Sequence, residues 1–539
     1  MKRRNFLHSA AATSALAVVN IASSKTSQVV KASTIQPPAE FELDEMSINE
    51  LQQHMQSGRF SSHSLVEKYL NRINKIDKAG PALNSVIELN PDAESIATDL
   101  DRERKEKGAR GPLHGIPILI KDNIDTADRM MTTAGSLALV GSKRAQDAFV
   151  VSRLREAGAV ILGKTNLSEW ANFRSAHSSS GWSGRGGQTK NPYAVDRNPC
   201  GSSSGSGVAP SANLCAAAIG TETDGSVVCP SSANSLVGIK PTVGLVSRSG
   251  IIPIAHSQDT AGPMARTVTD AAILLGIMTG QDTRDPVTAE SRSKALSDYT
   301  RFLDKDGLKG VRLGVARKYF GFNDRVDKLM NERLNDLKRL GATLVDPADI
   351  PASGKFDDSE LEVLLYEFKA DLNKYLAGLQ SSSVRTLKDV IEFNEKNRDK
   401  EMPYFGQDLF IKAQEKGPLT SPKYIQALRK NHLLSRTQGI DFVLKQHKLD
   451  ALIAPTGGPA WPTDLVNGDH FTGGYSSASA VAGYPHITVP AGYVFGMPVG
   501  ISLFAGPYSE PKLIKMAYAF EQGTKAREVP KFLEKANLS

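Results

Sequence analysis

The segment "GIPILIKDNID" (residues 115–125) places a run of apolar residues directly before a lysine and an acidic turn. A short apolar run of this kind is typical of a buried strand, which we place at 116–120, ending at Lys121. A helical pattern follows at 147–157 and leads into a second apolar run, "AVILGKTN" (159–166). This strand, helix and strand order predicts a parallel βαβ unit.

The same alternation returns later in the chain and extends the prediction to an α/β sheet wrapped by helices. Between about 357 and 447 the strand patterns disappear, and helical patterns rich in Lys, Glu and Leu replace them. We therefore predict one large domain with a helical insertion at 357–447. The later strand and helix patterns lie at 311–315, 326–340, 343–345, 449–456 and 486–493.

The composition is that of a globular protein with a large core. The chain has 539 residues, of which 40% are hydrophobic and 23% charged, and its net charge is +7. This mild charge and the absence of a long basic run after the N-terminus argue against a nucleic-acid partner. Beyond the N-terminus no run approaches about 18 apolar residues, so we expect no stable membrane insertion of the mature chain.

The N-terminus has the pattern of an export signal. Lys2, Arg3 and Arg4 precede an Ala-rich, weakly apolar run at 9–24. We interpret 1–32 as a twin-arginine-like bacterial signal peptide and 33–539 as the enzyme, exported to the periplasm or secreted. A disordered basic tail is the alternative.

A serine- and glycine-rich stretch, "RNPCGSSSGSGVAPSANLCAAAIGTETDGSVVCPSS" (197–232), is the candidate catalytic segment, although it contains no histidine. No Gly-Lys-Ser/Thr follows its glycines, so it is not a phosphate-binding P-loop. The chain lacks His-Glu-x-x-His and closely paired cysteines, so we expect no metal. Residues 201–205 do satisfy G-x-S-x-G with Ser203 at the centre, which leaves a serine esterase open.

All three cysteines, Cys200, Cys215 and Cys229, fall inside this stretch. An odd number fits a disulfide framework poorly, and we interpret these residues as small packing side chains, at least one of them free. A cysteine nucleophile is disfavoured because no local pattern supplies a histidine.

Seven segments of the chain together resemble the amidase signature family. They follow in the family's order and extend over nearly all of the mature chain. This resemblance implies a central mixed β-sheet covered by helices, and an enzyme that needs no cofactor. The segments are "GIPILIKDNID", "GKTNLSEWANFRS", "CGSSSGSG", "GTETDGS", "GIKPTVGLVS", "QDTAGPMARTVTDAA" and "AVAGYPHITVPAG".

The resemblance maps a Ser-Ser-Lys triad onto Lys121, Ser202 and Ser226. Serine is a weak nucleophile that needs a base, and a lysine buried at a strand end is disfavoured as an ammonium ion, so it can serve as that base. Ser226 would then attack the amide, while Ser202 relays its proton to Lys121. The family also implies a cis peptide bond at the relay serine.

Two further sets of residues follow from the same mapping. The oxyanion hole is placed on the backbone amides of Thr223, Asp224, Gly225 and Ser226, where Asp224 would put a carboxylate beside the developing negative charge. Ser203 and Asn172 are candidate substrate contacts.

The segments "CGSSSGSG" and "GTETDGS" look like those of bacterial peptide amidases, which remove the C-terminal amide from peptides. The implied substrate is a small peptide amide with ammonia as leaving group. The alternatives are an amidase of another small, aryl or acyl amide, the amidase component of a tRNA-dependent amidotransferase, or a catalytically silent binding protein. The oligomeric state is left open.

Overall fold

A large mixed β-sheet covered by helices organises the computed structural model, which describes residues 41–538. Eleven strands of the described chain form this sheet, in the spatial order β1-β3-β2-β6-β8-β7-β12-β13-β11-β9-β10. The other two, β4 and β5, form a small antiparallel pair. The strands are β1 (Val86–Leu89), β2 (Pro117–Lys121), β3 (Val160–Thr165), β4 (Trp182–Ser183), β5 (Gly187–Gln188), β6 (Ala217–Glu222), β7 (Val237–Lys240), β8 (Thr260–Ala265), β9 (Arg312–Val315), β10 (Thr343–Val345), β11 (Ala451–Pro455), β12 (His486–Val494) and β13 (Met497–Phe504).

The predicted βαβ unit is present, and β2 pairs in parallel with both β3 and β6. Every residue of these three strands is buried. The α/β class and the mixed sheet are therefore confirmed, because β6 and β7 each pair antiparallel with β8, and β12 with β13.

Helices cover the sheet, and six of them fall within 357–447, the range of the predicted insertion. They are α1 (Ile48–Gln56), α2 (Ser62–Arg72), α3 (Ala93–Lys107), α4 (Phe149–Glu156), α5 (Ser204–Ser211), α6 (Val228–Ala233), α7 (Val268–Met278), α8 (Asp324–Arg339), α9 (Asp357–Ala377), α10 (Leu387–Lys396), α11 (Arg398–Glu401), α12 (Asp408–Gln414), α13 (Pro422–His432), α14 (Asp441–His447), α15 (Ser477–Ala482) and α16 (Glu510–Thr524). Within residues 41–538 no helix combines the length and apolar character needed to cross a bilayer. The predicted signal peptide at 1–32 lies outside the described residues.

The helices α9 to α14 are called the insertion below. They make a hydrophobic contact with the half of the sheet formed by β1, β2, β3, β6, β7 and β8, which is called the catalytic half because the predicted triad lies on it. Trp170, in the loop after β3, packs edge-on against Phe410 of α12 with ring centroids 5.7 Å apart. Phe410 stacks in turn on Phe368 of α9 at 5.2 Å. Burial of these three rings anchors the insertion beside the loops that follow β2, β3 and β6.

Candidate active site

Lys121 is the last residue of β2, and its side chain is fully buried. Its Nζ lies 2.8 Å from Ser202 Oγ, 2.9 Å from Thr221 Oγ1 and 3.3 Å from the Thr221 carbonyl oxygen. Burial lowers the pKa of Lys121 to about 7, although Asp259 and Glu222 act in the opposite direction. The neutral amine is therefore far more accessible near neutral pH than it is for a lysine in water.

The three contacts of Lys121 can be made in either protonation state. As an ammonium ion, Lys121 donates to all three oxygens; as a neutral amine, it keeps two N–H donors for the carbonyl and hydroxyl oxygens of Thr221 and has a lone pair left for the proton of Ser202. Asn123 donates a further hydrogen bond of 2.9 Å to the Thr221 hydroxyl and fixes its position. Lys121 is thus arranged to accept a proton from Ser202.

Ser202 lies in the turn before α5 and is 1% exposed. The Gly201–Ser202 peptide bond is cis, which confirms the expectation drawn from the resemblance. The Ser202 carbonyl accepts a 3.0 Å hydrogen bond from the Ser168 amide. A Cβ atom at Gly201 would lie 2.2 Å from Ser168 Oγ, so a glycine is needed here for close approach of the backbone.

Ser226 lies in the turn that joins β6 to α6 and is 8% exposed. Gly225, with φ +77°, provides the left-handed conformation that this turn requires. The Ser226 carbonyl accepts a 3.2 Å hydrogen bond from the Ser203 amide. This contact brings the two serine-bearing segments side by side, although Ser202 and Ser226 are 24 residues apart in the chain.

The predicted oxyanion donors occupy the same turn. Among the described residues, no oxygen accepts a hydrogen bond from the amides of Thr223, Asp224, Gly225 or Ser226. The two amides that follow are occupied, because the Glu222 carboxylate accepts hydrogen bonds from Val227 (2.8 Å) and Val228 (3.1 Å). The turn therefore offers donors to a developing negative charge.

The turn is held in place by the side chains of Asp259 and Gln258, which begin the segment "QDTAGPMARTVTDAA" (258–272). Thr223 donates a 2.6 Å hydrogen bond from its hydroxyl to Asp259, and its carbonyl accepts one of 3.4 Å from Gln258. Burial raises the pKa of Asp259 to about 6. The segment supports the family resemblance but assigns no role to either residue, so their contacts with the turn are visible only in the fold.

The side chain of Asp224 is held away from bulk water. Ser477, the first residue of α15, donates a 2.6 Å hydrogen bond to its carboxylate. Burial raises the pKa of Asp224, and Glu360 of α9 faces the same carboxyl. The hydrogen bond from Ser477 directs this carboxylate toward the start of α15.

The two candidate substrate contacts, Ser203 and Asn172, differ in whether their side chains have a polar atom free to bind a ligand. Ser203 is fully buried, and its hydroxyl donates to the Thr221 carbonyl at 2.9 Å and accepts from the Thr221 amide at 3.2 Å. It therefore fixes the end of β6, which speaks against both substrate contact and the nucleophile role of the G-x-S-x-G alternative. Asn172 donates to Ser180 Oγ at 3.2 Å, while its own side-chain oxygen has no partner in the described structure.

A cavity of about 470 Å³ lies between the sheet and the insertion; its lining includes Thr221, which contacts Lys121, but none of Lys121, Ser202 and Ser226. Thr221 and Thr223 line it on the sheet side, and Tyr375 and Leu379 of the insertion segment line it on the other. Its lining includes no residue of "SSSGWSGRGG" (178–187), the stretch that the peptide-amidase resemblance would place at the cleft.

The prediction for the cysteines was wrong in one respect. Cys200 and Cys229 form a disulfide with Cα atoms 6.0 Å apart, and only Cys215 is free and buried. An odd cysteine count does not exclude a single bridge, and a fold that brings residues 29 apart in sequence within bonding range is not visible in the spacing.

One group of potential metal ligands occurs within the described residues. His256, Glu367 and Asp371 approach one another closely enough to share an ion. His256 Nδ1 already lies 2.8 Å from Asp371, while Glu367 accepts from Tyr424 at 2.7 Å and from the Ser257 amide at 2.9 Å. These groups satisfy one another as a protein network.

Comparison with known proteins gives a consistent result. The profile of the amidase family matches residues 64–514. A probable amidase of Arabidopsis thaliana is 45% identical over 94% of this chain and 95% of its own. The crystal structure of native peptide amidase from Stenotrophomonas maltophilia superimposes with a TM-score of 0.87 at 51% identity, covering 92% of this chain and 100% of that one. A glutamyl-tRNA(Gln) amidotransferase subunit of Pseudomonas syringae is 33% identical over 89% of this chain and 98% of its own.

Proposed function

The chain belongs to the amidase family and is a hydrolase of amide bonds, and on that premise we propose that it removes the C-terminal amide of peptides with release of ammonia. We assign the chemistry to Ser226 as nucleophile, Ser202 as proton relay and Lys121 as base. The observation that carries the assignment is the buried Lys121 amine, 2.8 Å from the Ser202 hydroxyl.

The first half of the reaction forms an acyl-enzyme. Ser226 Oγ attacks the amide carbon as its proton passes to Ser202, while the proton of Ser202 passes to neutral Lys121. The carbonyl oxygen becomes an oxyanion that the free amides of the 223–226 turn stabilise. The intermediate then collapses, and a proton returns through Ser202 to the departing nitrogen, which leaves as ammonia.

Water completes the cycle by the reverse path. Lys121 and Ser202 take a proton from the water as it attacks the acyl carbon, and they return a proton to Ser226 Oγ as the ester bond breaks. The net reaction is one amide plus one water giving one carboxylic acid and one ammonia.

Two observations support a small leaving group. Lys121 and Ser202, which must face the departing nitrogen, are 0% and 1% exposed, so a continuing polypeptide has no room there. The chain is also 51% identical to a protein whose structure is that of a peptide amidase. Internal peptide bonds are therefore expected to stay intact.

The test compares an amidated peptide with its free-acid twin. Both are incubated with EDTA-treated enzyme and followed by mass spectrometry, and we expect the amide to gain about 1 Da while the acid is unchanged. Internal fragments, or consumption of acetamide without conversion of the peptide amide, would refute the peptide assignment. The Ser226→Ala variant is the control for contaminating peptidases.

The similarity to a tRNA-dependent amidotransferase supports a second candidate, an amidase that supplies ammonia to a partner. We disfavour it because we propose that residues 1–32 direct export, which would separate the enzyme from cytoplasmic partners. N-terminal sequencing of the protein recovered from the periplasm checks this point. A full-length protein confined to the cytoplasm would favour the amidotransferase role.

A further inference from the structure

The Cys200–Cys229 disulfide lies directly beside the two serines of the proposed triad. Cys200 precedes Ser202 by two residues, and Cys229 follows Ser226 by three. Cys215, the remaining cysteine, lies in the main hydrophobic core. The bridge is thus placed on the two segments that the reaction must hold together.

The disulfide completes a ring of covalent and hydrogen bonds that contains both Ser202 and Ser226. One side is the chain from Cys200 to Ser203, and the other is the chain from Ser226 to Cys229. The Ser203 amide, which donates to the Ser226 carbonyl at 3.2 Å, closes the ring at one end, and the disulfide closes it at the other. Among the described residues, these are the direct links between the two segments other than packing.

Each serine also has contacts outside the ring, but those contacts lead to different elements. Ser202 is held on Lys121 of β2 and on the Ser168 amide. The segment that begins at Ser226 is held through Val227 and Val228 on the Glu222 carboxylate of β6. Apart from the disulfide, Ser203 links the relay segment to the end of β6: its amide donates to the Ser226 carbonyl at 3.2 Å, and its hydroxyl bonds to Thr221 at 2.9 and 3.2 Å. The disulfide adds a covalent cross-link between the two serine-bearing segments, which limits the separation of the two hydroxyls.

We propose that the Cys200–Cys229 disulfide is a positioning element for catalysis, which keeps the nucleophile Ser226 in register with the relay Ser202. Its role is to set the geometry of proton transfer, in addition to any contribution to the stability of the fold. The proposal rests on the triad assigned above.

The surroundings of the bridge allow it to be tested by reduction. Cys200 is 5% exposed and packs with Ala233 and Trp461, whereas Cys229 is partly exposed. A dithiol reductant can therefore attack the Cys229 sulfur. The reductant forms a mixed disulfide, then closes its own disulfide, and transfers two electrons and two protons to give two cysteine thiols.

Two rates are measured before and after reduction with dithiothreitol: turnover of a peptide amide, and phosphonylation of Ser226 by a fluorophosphonate, followed by intact mass. We expect both kcat and the phosphonylation rate to fall by about 10- to 100-fold, with KM changed less than about twofold. Reoxidation with oxidised glutathione should restore both rates.

Matched variants separate the bridge from other thiol effects. Cys200→Ala/Cys229→Ala should show the low rates from the start and should not respond to reductant. Cys215→Ala, which keeps the bridge, should respond as the wild type does. Near-UV circular dichroism is recorded in parallel, and rate loss accompanied by loss of that signal would assign the bridge to stability and overturn the proposal.

The outcomes also distinguish this proposal from the proposed function. If the reduced wild type keeps both rates within twofold, the positioning role is wrong while the peptide amidase assignment stands. If the wild type does not convert peptide amides but is phosphonylated at Ser226 with the expected redox dependence, the substrate is wrong and the positioning role stands. Failure of Ser226 to react at all would overturn both.

Discussion

The polar groups of the catalytic half bond mainly within that half, whereas those of the insertion bond across to the loops of the core. In the catalytic half, Lys121 and Ser202 are buried and joined by a hydrogen bond. In the insertion, Glu360 and Tyr375 reach outward from α9 to carboxyl groups on the loops of the core. On the assignment proposed above, the core supplies the reacting groups, and the insertion contacts the loops of the core through Glu360 and Tyr375.

Replacement of the nucleophile should have the largest effect. We expect Ser226→Ala to lower kcat by at least about 10⁴-fold with an unchanged fold, because it removes the attacking oxygen from a turn without opening a cavity. Initial rates on an amidated peptide measure this. A dead Ser203→Ala beside an active Ser226→Ala would instead favour the G-x-S-x-G interpretation and would move the reacting group away from the β6–α6 turn.

Replacement of the base, Lys121, should have the second largest effect on kcat. Lys121→Ala should lower kcat by about 10³-fold or more, since the triad acts as one unit. In the wild type, the active form is the neutral amine, so protonation inactivates it. With a pKa of about 7, kcat/KM should fall about tenfold for each pH unit below that value and level off above it.

A pH series from 4 to 9 on the wild type measures this dependence. A flat profile down to about pH 4 would contradict a neutral lysine base. The Ser226→Ala variant gives the background hydrolysis at each pH.

Glu360 tests the division between core and insertion most directly because it lies beside the oxyanion turn. It accepts a 2.9 Å hydrogen bond from Gln258, and burial, together with Asp224, raises its pKa well above the usual carboxyl range. A glutamine at this position keeps a side-chain oxygen that can accept the hydrogen bond from Gln258. We expect Glu360→Gln to keep activity within about threefold and Glu360→Ala to lose about tenfold, because the latter releases Gln258 from the turn.

The two Glu360 variants are compared by kcat and by thermal unfolding. A loss in Glu360→Gln as large as that in Glu360→Ala would mean that the ionised carboxylate is required. The insertion would then take part in the chemistry itself.

The smallest catalytic effect is expected at Tyr375. Its hydroxyl donates a 2.7 Å hydrogen bond to Asp125, which also pairs with Arg144 at 2.6 Å. Tyr375→Phe should lower the free energy of unfolding by about 1–2 kcal/mol in urea titrations, with kcat within about twofold. A large fall in kcat with unchanged stability would place Tyr375 among the groups that act on substrate.

The strands that the sequence predicted well are those rich in β-branched and large apolar residues. β2 and β3 were found within one or two residues because Ile, Leu and Val fill them. β6 ("AAIGTE") escaped prediction, since alanine and glycine have weak strand preference, although all six residues are buried. Its position is determined by pairing with β2 and β8, which are distant in the sequence.

The helix before β3 shows a smaller error. We expected it to span 147–157, and it spans Phe149–Glu156. Asp147 lies outside the helix, where its carboxylate accepts a 2.7 Å hydrogen bond from the Ala127 amide. A contact with a residue 20 positions away moves the helix start in a way that local patterns do not show.

For the site, the order of the motifs pointed to Lys121, Ser202 and Ser226, but not to what surrounds them. Thr221 joins Lys121 across 100 residues, and Glu360 meets the oxyanion turn from another part of the chain. Thr221 belongs to the segment "GTETDGS", but nothing in that segment links it to Lys121, and Glu360 lies outside the seven segments. Such partners become visible only when the fold brings them into contact.

The order of the strands along the chain determines which part of the sheet can fold first during synthesis on the ribosome. The catalytic half, with its six strands and all three triad residues, lies between Val86 and Ala265. The five strands on the other side of the sheet lie between Arg312 and Phe504. The catalytic half can therefore complete its own strand pairing before the rest of the chain emerges. Until β12 arrives to pair with it, β7 is an open and apolar edge, the point at which a nascent chain is most exposed to aggregation.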